Sequence, residues 1–370
     1  MKFSCERAQF LAAVVTASMT AAAKSPVPAL EGLLIEAGSV VHISGYDLKN
    51  GIRTTVPAEV DEPGTIVLNA KLLGDIIRRA PDEIIRVEAD GEQMTRITSG
   101  ASVYKIIGIA GADYPELPTV DKVNALTIQE NVLKDMISHT IFAVGDNEAR
   151  PVHTGELFET ENGRLSIVAV DGFRLALRKE KYISGSDGMY FVVPGSALSQ
   201  VEKIVGDSED PVSISVGQKH ILFSIGSTEL VSRRLEGEFL NYKNSIPKTG
   251  RYDLEVDRSD LIRSVERVSL IISENLKTPV RCIFDDGIIR LSAYSAMGTA
   301  TDTCPSSGDG ECLEIGFNNK YLLDALKAAA TDQVRLRLAT SVSPCVIVPT
   351  GDKDNFTSMI LPVRLKANEG

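Results

Sequence analysis

The chain has no tryptophan, and aromatic residues make up only 5% of its 370 positions. That scarcity argues against an indole-walled sugar cleft or a base-stacking surface. No run of eighteen apolar residues occurs, so no segment reads as a membrane-spanning helix. Cysteine is sparse: Cys5, Cys282, Cys304, Cys312 and Cys345 form no C-x-x-C pair, and an odd number leaves no complete disulfide framework. Free thiols and a cytoplasmic location are the expectation. The four histidines, His42, His139, His153 and His220, lack H-E-x-x-H spacing, and no G-x-x-x-x-G-K phosphate loop is present. Asp285 and Asp286 beside Gly287 read as a turn rather than a metal site. Positive charge is also in deficit. The net charge of −11 disfavours a simple basic surface that wraps nucleic acid, although it leaves the distribution open.

What the sequence does have is repetition. A chain of this length exceeds one ordinary core and points to two or three domains. Six windows starting at Phe3, Ile66, Leu126, Phe191, Leu254 and Ile315 align with one another. Their third positions (Cys5, Leu68, Ile128, Val193, Val256, Phe317) and eighth positions (Phe10, Leu73, Leu133, Leu198, Leu261, Leu322) are all apolar. Each window opens with alternation of period two and then changes to helical spacing, as in L-L-G-D-I-I from Leu72 to Ile77. The unit is a strand leading into a helix. The N-terminal M-K-F-S-C-E-R-A-Q-F-L-A-A-V-V, which imitates a secretion signal, is the first of the six copies.

Behind each helix come alternating segments with turn punctuation, such as I-I-R-V-E-A-D-G-E from Ile84 to Glu92 and G-I-I-R-L-S-A-Y from Gly287 to Tyr294. The expected half-unit is β-α-β-β-β. Two halves make a domain, and Pro-containing polar stretches near Glu116–Lys122 and Ser245–Gly250 place the domains at 1–120, 121–248 and 249–370. The fold class is therefore α+β, with three tandem copies of one domain. Over the six helical stretches eleven basic residues face seven acidic ones, while the rest of the chain is strongly acidic. Either the helices form a mildly positive surface on an acidic body, or these are ordinary solvated helix faces.

The stretch V-A-V-D-G-F-R-L-A-L-R-K, from Val168 to Lys179, presents an acid, a glycine, an aromatic and a guanidinium together at a turn. Taken alone it reads as a plain hairpin. Together with the triple repeat, the opening M-K-F-x-x-E-R, L-x-G-L-L-I-E-A-G, D-Y-P-E-L-P and the terminal M-I-L-P-V-R-L, it resembles the bacterial DNA polymerase III beta subunit, the sliding-clamp family. The resemblance covers essentially the whole chain, with the motifs in order. It implies a head-to-tail homodimer closing into a ring of six domains, with helices inside and antiparallel sheets outside, around duplex DNA. Twelve helices set roughly 8 to 10 Å apart would leave a hole about 25 Å wide. Phosphate contacts in such a hole position the duplex without reading its sequence, and too many would stall sliding.

The resemblance also implies sites. A groove for extended peptides from the polymerase III alpha subunit, the clamp loader and repair polymerases falls on Val170, Gly172, Phe173, Arg174, Leu175, Leu240, Asn318, Tyr321, Val342, Met359, Ile360, Leu361, Pro362, Val363, Arg364 and Leu365. Its apolar walls suit Leu and Phe anchors, with Arg174 and Arg364 supplying polar orientation. Leu240 stands where the family often has Pro, and Asn244 and Ser245 replace a basic and an apolar residue. Lys366 to Gly370 extend past the motif. DNA contact falls on Lys24, Asn147 and Arg150, with Arg78 and Lys203 on helical stretches. Where the family carries aromatics after that arginine, this chain has Pro151 and Val152. The dimer interface falls on Val103, Tyr104 and Ile106 of one chain against Ile271 and Ile272 of the other. No catalytic residue, cofactor, metal or membrane contact is implied.

Two other classes compete. S-V-Y-K at Ser102 and K-T-G at Lys248 match two signatures of serine beta-lactamases. The required serine should open a helix, however, and Ser102 lies in an alternating strand pattern with no S-D-N following. A repeat scaffold that binds proteins without DNA is the remaining alternative, and composition alone does not separate it from a clamp.

Overall fold

A computed structural model describes residues 1–122, 124–272, 278–351 and 355–365. Each of the six repeat windows is a strand running into a helix. Lys2–Glu6 leads into α1 (Arg7–Ser18), Gly64–Asn69 into α2 (Ala70–Arg79), and Ala125–Gln129 into α3 (Glu130–Ser138). Tyr190–Pro194 leads into α4 (Gly195–Ile204). After the one-turn α5 (Tyr242–Ser245), Tyr252–Asp257 leads into α6 (Arg258–Ser269) and Leu313–Phe317 into α7 (Asn319–Ala328). Asn69, Asp257 and Asn318 accept backbone N–H groups at the starts of α2, α6 and α7, which fixes the change from strand to helix.

Contacts group the chain into two compact units. One comprises residues 1–134, 182–186 and 196–234, and the other residues 135–181, 187–195 and 235–370. The first unit contains a five-stranded sheet whose last strand, Ser102–Ile107, is an edge. It also contains a nine-stranded sheet in which Asn50–Val56 pairs with Thr228–Arg233. That seam buries a Thr54–Thr228 hydroxyl contact of 2.9 Å. Helices α1 and α2 pack together over a core of Phe3, Phe10, Val14, Leu73, Ile77 and Val87. The run that imitates a secretion signal is thus α1, with Phe10, Ala13, Val14 and Ala17 buried.

The second unit contains an eight-stranded sheet in which Arg174–Lys181 pairs with Phe356–Ile360, and a four-stranded sheet edged by Gly298–Pro305. Helices α6 and α7 pack together over Leu261, Val265, Phe284, Phe317, Leu322 and Leu326. All strand pairings of the four sheets are antiparallel. The five thiols are free. Four are buried, and exposed Cys312 donates to Asp285 Oδ1 at 3.4 Å.

Candidate partner-binding groove

The Val168–Lys179 stretch forms two antiparallel strands, Arg164–Val170 and Arg174–Lys181, joined at Asp171, Gly172 and Phe173. Asp171 Oδ1 accepts the backbone N–H groups of Phe173 and Arg174, at 2.8 and 3.0 Å. Gly172 has φ +94°, in the left-handed region that other residues avoid. The chain therefore reverses in a form that lifts Phe173 outward, and this residue is 61% exposed.

Arg174 turns the other way. Its Nε donates to Asp171 Oδ2 at 2.9 Å and its Nη1 to Asp324 Oδ2 at 2.6 Å. Its side chain is nearly fully buried, over the ring of Tyr321. The polar orientation of a peptide expected from Arg174 meets a guanidinium already engaged by two carboxylates. Arg364, by contrast, is exposed. Asn318 Oδ1 accepts the N–H groups of Lys320 and Tyr321, and this cap sets Tyr321 where its ring also stacks on Phe173 at 6.4 Å. On this side Asp171, Arg174, Tyr321 and Asp324 wall a polar cavity of about 820 Å³.

The last described strand, Phe356–Ile360, lies beside Arg174–Lys181, with Leu175 opposite Met359. Beyond it Leu361 N–H donates to the Phe173 carbonyl at 2.8 Å and Val363 N–H to the Gly316 carbonyl at 2.8 Å. A side chain on Gly316 would collide with Val363 O and Leu365 Cδ2, since its Cβ would stand 2.7 Å from each, so only glycine lets the terminal segment lie this close.

Val170, Leu175 and Met359 share one apolar cluster with Val152, Phe239, Tyr242 and Val346. Leu240 is 38% exposed beside that cluster, and Val363 is 36% exposed. Leu361, Pro362 and Leu365 are half-buried. The structure does not bring every expected residue to this face. Ile360 follows the alternation of its strand to the opposite side, where it joins the core under α6 and α7. Val342, 76% exposed, stands on the loop 339–344 with its N–H near Thr340 Oγ1. Lys366 to Gly370 lie outside the described residues.

The residues expected at DNA are all exposed. In the first unit Lys24 lies in the turn after α1 and Lys203 on α4, and among the described residues their side chains make no hydrogen bond or ion pair. Arg78 shares Asp75 with Arg79, at 3.4 and 3.0 Å. In the second unit Asn147 Oδ1 caps Ala149, and Arg150 precedes a 3₁₀ turn at Pro151–Thr154. Burial and then the Arg150 charge hold the His153 imidazole below its usual pKa.

At the expected interface the edge strand Ser102–Ile107 alternates. Val103 faces out, while Tyr104 and Ile106 pack on their own core. Ile271 and Ile272, after α6, also rest on their own core. Ile107 at 68% and Leu270 at 82% are exposed beside these residues, and the resemblance does not mark them. The alternation itself could have found Ile107, since it shares a face with Val103.

Three family descriptions match the chain in order: DNA polymerase III beta subunit, N-terminal domain, over residues 1–118; central domain, over 127–241; and C-terminal domain, over 243–364. The beta sliding clamp of Staphylococcus aureus is 31% identical over 98% of this chain and 99% of its own. That of Halalkalibacterium halodurans is 32% identical over 98% of this chain and all of its own. Among solved structures, the DNA polymerase sliding clamp of Bacillus subtilis aligns with a TM-score of 0.95 at 28% identity, covering 99% of this chain and 100% of its own. A Pseudomonas aeruginosa sliding clamp bound to griselimycin aligns at 0.93 with 26% identity, over 99% and 100%. Six strand-to-helix units, three domain matches in order and near-complete coverage lead to one conclusion: this chain belongs to the DNA polymerase III beta subunit family, the beta sliding clamps.

Proposed function

We propose that the chain is a ring-forming processivity factor: two copies close head to tail around duplex DNA and tether the replicative polymerase to it. The carrying observation is the sixfold strand-to-helix repeat, matched domain by domain to the family. The clamp domains are read as residues 1–120, 121–248 and 249–370. Two strands at sheet edges, Ser102–Ile107 and Gly298–Pro305, each paired on one side only among the described residues, support a head-to-tail contact, because an exposed edge of this kind invites another strand. The turn at Asp171–Arg174 and the terminal segment Leu361–Leu365 wall the groove for peptides of the polymerase III alpha subunit, the clamp loader and repair polymerases. No chemistry is assigned to the chain. A cytoplasmic location fits a replication factor in which no described helix is long and apolar enough to cross a membrane.

Retention on DNA of different topology tests this reading. The protein, once loaded, should stay on a closed circle and slip from a linear duplex. Lys24→Glu with Lys203→Glu should weaken retention and reduce the slope of log affinity against log salt by about two per chain, about four for the two-chain ring. Equal loss from circular and linear DNA would favour the protein-binding scaffold instead.

A further inference from the structure

The sheet face that carries the apolar side of the groove does not end at Leu175 and Met359. Along strand Arg174–Lys181 the same face presents Leu175, Leu177 and Lys179 in turn. The neighbouring segment of the same chain presents Met359, then Thr357, then Asn355, with Leu177 opposite Thr357 and Lys179 N–H bonded to the Asn355 carbonyl. One strand further Val346 lies opposite Met359, and beyond it Arg337 lies opposite Val346. This face therefore grades from apolar to cationic over four residues, roughly 13 Å of extended chain.

The cationic end is a pocket of about 310 Å³. Its floor is Leu177, Tyr242 and Val346, which belong to the same apolar cluster as Leu175 and Met359. Its walls carry Lys179, Lys243, Lys248 and Arg337, and no carboxylate is among its described lining residues. In a chain of net charge −11 this lining carries four basic groups. Among the described residues the surrounding acids are largely occupied. Glu159 and Glu161 hold Lys243, Glu180 takes the Asn355 amide and Arg178, and Asp253 stands 3.9 Å from Arg337. Lys179 and Lys248 make no ion pair among the described residues, and Lys179 acts on Glu161 only as a more distant charge.

We infer that this pocket is an extension of the peptide groove that takes a carboxylate, so that partner segments of this chain carry an acidic residue about four positions from their nearer apolar anchor. The inference rests on the groove reading above, being continuous with that face, and on charge complementarity. Two partly exposed lysine–carboxylate pairs, each worth a fraction of a kcal/mol, predict a preference of about three- to tenfold.

The test uses fluorescein-labelled peptides with Leu and Phe anchors, carrying either two Glu or two Gln four residues from the nearer anchor, on one side or the other. Fluorescence polarisation on the full chain should show the Glu peptide binding about three- to tenfold more tightly in one of the two placements, with the advantage fading at 0.5 M salt. Lys179→Gln with Lys248→Gln should bring the Glu peptide down to the Gln peptide and leave the Gln peptide unchanged. Equal affinities on the native protein overturn the inference while the groove stands. So does a Glu preference that survives in the double variant, or a variant that weakens both peptides alike. If no peptide binds the native protein, the groove reading fails and takes this inference with it.

Discussion

The guanidinium carbon of Arg174 lies 4.3 Å from the centroid of the Tyr321 ring, sandwiching a buried cation between an aromatic face and two carboxylates. The side chain that most resembles a ligand hook in the sequence is a tie. It joins the Asp171 turn to α7 and so holds Phe173 and Tyr321 in register.

Removing that tie should cost stability. Arg174→Ala leaves Asp171 and Asp324 without their counter-ion, and a loss of about 2 to 4 kcal/mol in urea unfolding is expected. Arg174→Lys should fall between, because an ammonium cannot reach both acids as the planar fork does. A loss below about 1 kcal/mol would mean that the tie behaves as screened surface charge.

The terminal segment should govern peptide binding. Ending the chain after Leu361, with Leu361→Ala, removes the Val363 bridge to Gly316 and the Leu365 contact while leaving strand Phe356–Ile360 paired. Micromolar affinity, about −8 kcal/mol, should be abolished in calorimetry while dimerisation persists. Removing only Lys366 to Gly370 should change little. Unchanged affinity in the larger truncation would move the partner site elsewhere.

Assembly is best probed at residues that face away from their own core. Val103→Asp with Ile107→Asp places charge on the outward face of the edge strand, and sedimentation should then find a folded monomer near 40 kDa. The corresponding change at Ile271 and Ile272 would also injure the core on which both rest. A double variant that remains dimeric would exclude this edge from the contact.

His153 should report on Arg150. Its folded pKa is depressed, so folding favours the neutral ring, and its contribution to stability is present above about pH 6.5 and lost as pH falls through the folded value. Arg150→Gln removes a repelling cation and should raise the value seen by NMR titration. Phosphate bound at Arg150 should do the same. A pKa indifferent to the substitution would leave burial as the sole cause.

Much of this fold was legible because burial leaves a periodic trace. The change from period two to helical spacing marked all six strand-to-helix joins, and the apolar third and eighth positions are buried core. The terminal motif and the Asp171 turn likewise meet, as the resemblance implied. What the sequence concealed is direction and partnership. Nothing local to Arg174 reveals that Asp324, 150 residues away, neutralises it. Ile360 and Met359 are adjacent in sequence, yet they serve opposite faces, and only the strand register says which is which. The Lys179, Lys248 and Arg337 pocket was hidden for the same reason, since its charges come from separate segments.

The pairing of Asn50–Val56 with Thr228–Arg233 changes what the Pro-containing stretch around residue 120 means. A protease that cut there would sever a covalent bond without releasing a fragment. The first 110 residues would remain stitched to the second repeat by a buried ladder of backbone hydrogen bonds and by the Thr54–Thr228 and Asn50–Ser232 contacts. The peptide link between these repeats is therefore dispensable to their cohesion, and chain ends introduced at that point would be tolerated.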